Sequence, residues 1–341
     1  MAAGLFELRK DAITGGWVAT VVDREFLRER FALAADPVAD RGPCRNCREP
    51  EGDGVRVRTL KDYAFHLVGT EAEARELERS VAQVALAQAR ASGAWRTVVA
   101  PPGEHRPLHS VGIELITGLL REARGIVAAA ARVGQIEYVQ VVQNWGQQAG
   151  AMTNHLCLDV YELPQVPHRI AEEIGGAARF VIREGECPFC RLVRTERERG
   201  VRLVWEDEHS VAFAPYASRS PFETWIVPRR HESDFGRAAN DDLGSTAEAL
   251  RQVLGRLAVL DGPPYNLVLH AAPLRGQVDA TYHWHWEVHP RLREIAGLEL
   301  GSGLPVNPVS PEEAVDRLLG RTLAGDDGPD PRPGTRPGGR G

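Results

Sequence analysis

The chain has 341 residues, 43% of them hydrophobic and 26% charged, with a net charge of −6. That is the composition of a soluble globular protein long enough for two domains. Basic residues are interleaved with acidic ones, as in Arg194-Thr195-Glu196-Arg197-Glu198-Arg199. Such runs read as solvated helix faces, and without clustered Lys and Arg neither a nucleic acid nor a membrane is an expected partner. No stretch approaches the roughly 20 apolar residues of a membrane span. Residues 1–10 lack the basic and apolar regions of a signal peptide, so the expected compartment is the cytoplasm.

In chain order, residues 16–22 predict a strand. Residues 71–91, rich in Ala, Glu, Leu and Arg, predict a helix. A strand over 95–100, a long helix over 113–133, and strands over 136–143 and 156–163 follow. The chain then divides near 175–186, giving one domain over 1–178 and a second over 179–323. In the second, 201–206 and 210–215 predict a hairpin pair, 224–228 a strand, 241–260 a helix, and 265–270 and 282–289 strands. Ser310, with Glu313 three residues on, marks the capping box of a last helix over 311–319. Residues 324–341 are dense in Gly, Pro and charge and are expected to form a disordered tail. The predicted class is α+β. Each half is a curved, mostly antiparallel half-barrel sheet with one long helix, since the alternation is too irregular for a doubly wound parallel sheet.

One metal-ligand pattern occurs twice. The first copy is Cys44-Arg45-Asn46-Cys47, then His105, then His155-Leu156-Cys157. The second is Cys187-Pro188-Phe189-Cys190, then His231, then His283-Trp284-His285. Two thiolates and two imidazoles suit one tetrahedral Zn²⁺, so two structural zinc sites are expected: Cys44, Cys47, His105, His155 and Cys187, Cys190, His231, His283. His155 follows His105 by 50 residues and His283 follows His231 by 52. His105 lies 58 residues past Cys47 against 41 for His231 past Cys190, which reads as an insertion of the 71–91 helix. His209 is a rival third ligand of the second site. Buried Cys and His in ordinary core roles are the plainer alternative for either set.

On a strand, residues i and i+2 share a face. Cys157 therefore lies beside the metal that His155 holds, a place for a nucleophile. Taken without that context, it is a small buried hydrophobe. By the same alternation Glu287 and His289 share the face of His285. His289 is a candidate proton shuttle or simply a solvent-facing strand residue.

Several long motifs stand out. In the first half they include Arg9-Lys10-Asp11-Ala12-Ile13-Thr14-Gly15-Gly16-Trp17-Val18, Lys61-Asp62-Tyr63, and the loop from Asn144 through Gly150 to Cys157. In the second half they include Ser218-Arg219-Ser220-Pro221-Phe222-Glu223-Thr224-Trp225, Tyr282-His283-Trp284-His285-Trp286-Glu287 and Ala296-Gly297-Leu298-Glu299-Leu300-Gly301. On these motifs the sequence resembles, over nearly the whole chain from about residue 8 to 319, galactose-1-phosphate uridylyltransferase, a family of the histidine-triad (HIT) superfamily built from two HIT-like repeats.

The resemblance implies a nucleotide sugar or other nucleotide and a small phosphorylated acceptor as substrates. It also implies a homodimer whose sites are completed by the partner. Asp62, Asn144, Gly150, Met152 and Glu299 fall at substrate-binding positions, and Arg24, Arg28 and Arg30 loosely match sugar-phosphate arginines, with surface charges as their plainer reading. In the family the second His of a His-Pro-His motif takes UMP covalently. Here that position is Cys157, the Pro is Leu156, the phosphate-binding Ser is Met152, and the Gln two past the nucleophile is Asp159. Met152 removes a hydroxyl donor. Asp159 sets a carboxylate where a phosphate anion would sit, a cost on the order of several kcal/mol.

The resemblance thus implies a zinc-binding nucleotidyltransferase with altered substrate or mechanism, with Cys157, Asp159 and His285 as catalytic candidates. Cysteine-dependent group transfer or hydrolysis on the same fold, and a catalytically silent nucleotide-binding protein, are the alternatives. Glu173, His270, His283 and His285 resemble a second metal site of some family members. With Cys187 and Cys190 present, His283 is assigned to zinc, and His270 and His285 are left to line the groove.

Overall fold

The computed structural model describes residues 6–10, 13, 17–21, 44, 46–47, 54–59 and 93–321. Arg24, Arg28, Arg30, Asp62, the predicted 71–91 helix and the 324–341 tail lie outside the described residues.

Strands β1 (Phe6–Lys10) and β2 (Trp17–Val21) pair antiparallel. β3 (Arg56–Thr59), β4 (Ala94–Val99), α1 (Ile113–Ala130), β5 (Tyr138–Trp145) and β6 (Cys157–Leu163) follow in the first half. Two helices, α2 (His168–Glu184) and α3 (Pro188–Arg199), lead into the second. It holds β7 (Leu203–Glu206), β8 (Ser210–Phe213), β9 (Thr224–Pro228), α4 (Asn240–Arg256), β10 (Tyr265–His270) and β11 (His285–Pro290). Last come the short α5 (Gly297–Ser302), β12 (Val306–Asn307) and α6 (Pro311–Leu318), whose Ser310 side chain accepts from the Glu313 N–H as the capping signal predicts.

Among the described residues, nine strands from both halves form one antiparallel sheet in the order β3-β4-β6-β5-β10-β11-β9-β8-β7. The seam is the β5–β10 pair, with Trp145 opposite Tyr265 and Val142 opposite Val268. β12 runs parallel to β2 in a separate three-stranded sheet, so the end of the second half holds the opening hairpin.

One sheet face is apolar because alternate residues point the same way. Val141, Val160, Leu267 and Trp286 pack there with Leu120 of α1 and Leu250 of α4 in a single core. On α1 the buried residues Ile116, Leu119, Leu120, Ala123, Val127 and Ala130 recur at helical spacing and form its inward stripe. The opposite face differs between halves. In the second, Phe213, Trp225 and Val227 pack beneath Ala177 of α2 and Phe189 and Val193 of α3.

Helix α2 was not among the sequence expectations, and the 178/179 division falls inside it. Its Gly175-Gly176 pair lowers local helix propensity. Tertiary contacts restore the helix, since Ile170, Glu173, Ala177 and Phe180 form a buried stripe. Gly185 ends it at φ 76, a conformation suited to glycine. The strand predicted over 282–289 starts only at His285. The Thr281 and Tyr282 N–H groups both bond to Val278 O, and Trp284 N–H bonds to Glu232 O, which hold this stretch out of the sheet.

Candidate active-site pocket and metal centres

In the first half, register builds a polar patch. Val99 faces Cys157 and Thr97 faces Asp159 across β4–β6, while Val142 faces Asp159 across β5–β6. Thr97, Cys157, Asp159 and, two residues past Val142, Asn144 therefore share one face. They line a pocket of about 200 Å³ with Asn46, Arg58 and the loop residues Gly150, Ala151, Met152 and Thr153. The loop turns at Gly146 (φ 84) and Gly150 (φ 80). It closes on itself through Gly150 N–H to Gln147 O and Ala151 N–H to Gly146 O. Met152 stands at the rim, 63% exposed.

Asp159 Oδ1 accepts from Trp95 Nε1 and from Thr97 Oγ1, both at 3.0 Å. Burial pushes the Asp159 carboxyl above its usual range, opposed by these two hydrogen bonds. Burial, then Asp159, then Cys44 push the Cys157 thiol up. Across the pocket, Arg58 Nη1 donates to Asn46 Oδ1 at 3.1 Å. The pocket thus combines a cation, amide and hydroxyl groups, a thiol and a carboxyl. Sequence reasoning singled out Cys157, Asp159, Asn144, Gly150 and Met152, and all five line or border one cavity. It missed Trp95, Thr97, Arg58 and Asn46. Trp95 and Thr97, two apart on a predicted strand, carried a signal as its hydrogen-bonding face.

Both predicted ligand sets assemble. In each, the four ligand atoms lie within 4.8 Å of one another. Cys47 Sγ is 3.2 Å from His105 Nε2 and 3.4 Å from His155 Nδ1, and Cys44 Sγ is 3.5 Å from His155 Nδ1. Ligands held 2.0–2.3 Å from a tetrahedral ion sit about 3.5 Å apart, so this donor set fits zinc. His155 Nε2 lies 2.9 Å from Ala100 O, which takes its N–H and leaves Nδ1 free as a metal donor. Burial lowers the His155 pKa, favouring the neutral ligand form. In the second set Cys190 Sγ is 3.2 Å from His231 Nδ1 and 3.8 Å from His283 Nδ1. His209 is elsewhere, 3.8 Å from Asp242, and is not part of this set.

His285 is not brought to Cys157 and Asp159. It is fully buried under α2 and α3, with ring centroids 4.8 Å from Trp225, 5.0 Å from Phe189 and 5.1 Å from His270. With Glu173 and His270 it forms a third group whose donor atoms lie within 4.8 Å. His270 Nδ1 is 2.9 Å from Glu173 Oε2, and Tyr282 OH donates to the same oxygen at 2.8 Å. Glu287 and His289 do share the His285 face, with His289 Nε2 2.9 Å from Glu287 Oε2. Arg219 supplies the cation there, bonding both Glu223 and Glu287 at 2.7 Å. Glu299 is held by Arg293 at 2.7 Å and 2.8 Å, outside the pocket lining.

No protein-family model matches the chain. Over 218 residues it is 31% identical to an ADP-glucose phosphorylase of Arabidopsis thaliana, covering 61% of this chain and 60% of the relative. Over 192 residues it is 30% identical to a galactose-1-phosphate uridylyltransferase of Thermotoga maritima, covering 54% of this chain and 60% of the relative. The match therefore spans about three fifths of these relatives' length. The crystal structure of the A. thaliana ADP-glucose phosphorylase with bound ADP-glucose superposes with a TM-score of 0.71 at 25% identity, covering 93% of this chain and 100% of that one. A uridylyltransferase structure superposes at 0.69 and 26%, covering 92% and 98%.

The fold is shared with a uridylyltransferase, a GalT-like protein and an ADP-glucose phosphorylase of known structure. In sequence the chain resembles both an ADP-glucose phosphorylase and a galactose-1-phosphate uridylyltransferase over more than half of its length.

Among the described residues no helix is long and apolar enough to cross a membrane.

Proposed function

We propose that the Cys157 pocket binds a nucleotide sugar, or another nucleotide, and transfers its nucleotidyl group to a small phosphorylated acceptor. The observation that carries this reading is the meeting of Cys157, Asp159, Asn144 and Arg58 around one cavity. Support also comes from the likeness to a relative solved with ADP-glucose bound.

In the proposed step the Cys157 sulfur attacks the α-phosphorus. The S–P bond forms, the P–O bond to the β-phosphate breaks, and the thiol proton passes to Asp159. An acceptor phosphate oxygen then displaces the sulfur, which recovers the proton. Arg58 and the amide of Asn144 offset phosphoryl charge. The two Cys₂His₂ sets would each hold zinc in a structural role, the first bracing the strand end that carries Cys157. A homodimer in the cytoplasm, and division into two repeats near residue 178, belong to the same proposal.

Incubation with UDP-glucose or ADP-glucose, followed by intact-mass analysis and product assay with galactose 1-phosphate or phosphate, tests it. A nucleotidyl adduct on Cys157 with turnover is expected. Turnover without an adduct would move the nucleophile elsewhere. An adduct that releases no nucleotidyl product, or thiol chemistry on other substrates, would mean cysteine-dependent group transfer. Binding with neither would mean a silent nucleotide-binding protein.

A further inference from the structure

Asn266 lies on β10, in the second half, yet its side chain reaches Asn144, which lines the first-half pocket. Its Nδ2 is 2.6 Å from Asn144 Oδ1 and 2.8 Å from Ala149 O. Ala149 O is a backbone carbonyl and can only accept. It therefore decides which end of the Asn266 amide is the NH₂ group. The second hydrogen of that group meets Asn144, so Asn144 must present its oxygen there. The Asn144 NH₂ group is turned the other way, and Asn144 lines the pocket. Ala149 directly precedes the pocket residues Gly150, Ala151 and Met152, so the same amide also anchors the loop. Close packing supports this docking, since Gly146 sits so near Pro264 that an added Cβ would lie 2.7 Å from the Pro264 side chain.

We infer that Asn266 is a positioning residue that locks Asn144 as a hydrogen-bond donor toward the pocket, selecting an anionic, phosphoryl-bearing ligand. The ligand class rests on the reading under Proposed function; the amide orientation does not. An aspartate at 266 can no longer donate to Asn144. The Asn144 amide then turns over to donate to the new carboxylate and shows its oxygen to the ligand phosphate. One side chain of the second repeat thereby sets the sign of recognition in the first.

The test is a double-mutant cycle read by calorimetry, with UDP-glucose and ADP-glucose as probes. Asn266→Asp is expected to weaken the tighter probe at least ~10-fold, about 1.4 kcal/mol. In an Asn144→Ala background the same change is expected to cost less than ~3-fold, because the group it acts through is gone. An equal cost in both backgrounds would mean simple charge repulsion and would overturn the inference, as would no cost at all. Side-chain amide exchange by NMR on the wild-type protein needs neither a variant nor a ligand. Both Asn266 NH₂ protons should be protected and those of Asn144 open to solvent. The reverse pattern overturns the inference. If the wild type binds neither probe, the nucleotide reading fails, and the exchange pattern alone decides the role of Asn266.

Discussion

The Thr97 hydroxyl and Asp159 Oδ1 lie 3.0 Å apart, and the Trp95 indole N–H reaches the same oxygen at 3.0 Å. One carboxylate oxygen is thus engaged twice in a buried setting. Burial raises the Asp159 pKa, with the two hydrogen bonds opposing it. A folded value above the unfolded one, near 3.9, means the native state holds the proton more tightly. Stability is then greatest below the unfolded pKa and declines as pH rises through the folded one. Asp159→Asn keeps an acceptor oxygen and removes the charge. It is expected to melt about 2–4 °C above the wild type at pH 8, with the gap closing by pH 4. A variant less stable than the wild type at pH 8 would refute this account of the site.

Elemental analysis should find two zinc atoms per chain. Cys47→Ser and Cys190→Ser break different ligand sets, so each should retain one zinc and their combination none. Chelation of the wild type should lower its melting midpoint by on the order of 10 °C, because ligand assembly is coupled to folding. Two zinc atoms retained in either single variant would show that its set is not a metal site.

Glu299 accepts from Arg293 at 2.7 Å and 2.8 Å and from the Ala296 N–H at 2.8 Å. Burial alone would raise its pKa, but Arg293 and the backbone donors lower it. A depressed carboxyl contributes stability above its unfolded pKa of about 4.3, and that contribution is lost as pH falls through the folded value. Glu299→Gln should therefore cost roughly 1–2 kcal/mol at pH 7. The cost should shrink steadily as pH is lowered below the unfolded value, measured by urea unfolding across pH.

Gly146 has φ 84, and a Cβ there would lie 2.7 Å from the Pro264 side chain. Gly146→Ala is expected to destabilise the protein by about 1–3 kcal/mol. It should also weaken binding at the pocket whose loop it displaces. A melting temperature equal to wild type would mean that the loop and the second half are not packed as described.

Much of the fold was legible because the responsible signals are local. The strand over Thr224–Pro228 and the strand over Tyr265–His270 match the predicted bounds residue for residue, since β-branched and aromatic runs between turn residues leave little choice. The long helix over Ile113–Ala130 follows from its apolar spacing. Helix α2 was missed because Gly175 and Gly176 weaken its propensity, while its stability comes from contacts of Ile170, Ala177 and Phe180. The site was half legible. Cys157 and Asp159 declare themselves by residue type and alternation. Their partners Trp95 and Thr97 stand 64 and 62 residues away from Asp159, on a strand whose register the local sequence does not specify.

The sequence by itself determined the chemistry available to this protein. Thiols and imidazoles are few, and their order along each half already points to both four-ligand sets, with His209 alone left as a rival in the second. Only the tertiary structure decided what that chemistry faces. It covers His285 with α2 and α3 and leaves Cys157 at a pocket, although both follow a ligand histidine by two residues. It also joins Asn144 to Asn266 across 122 residues. Burial and hydrogen-bond partnership are set by neighbours remote in the chain, and no local propensity encodes them.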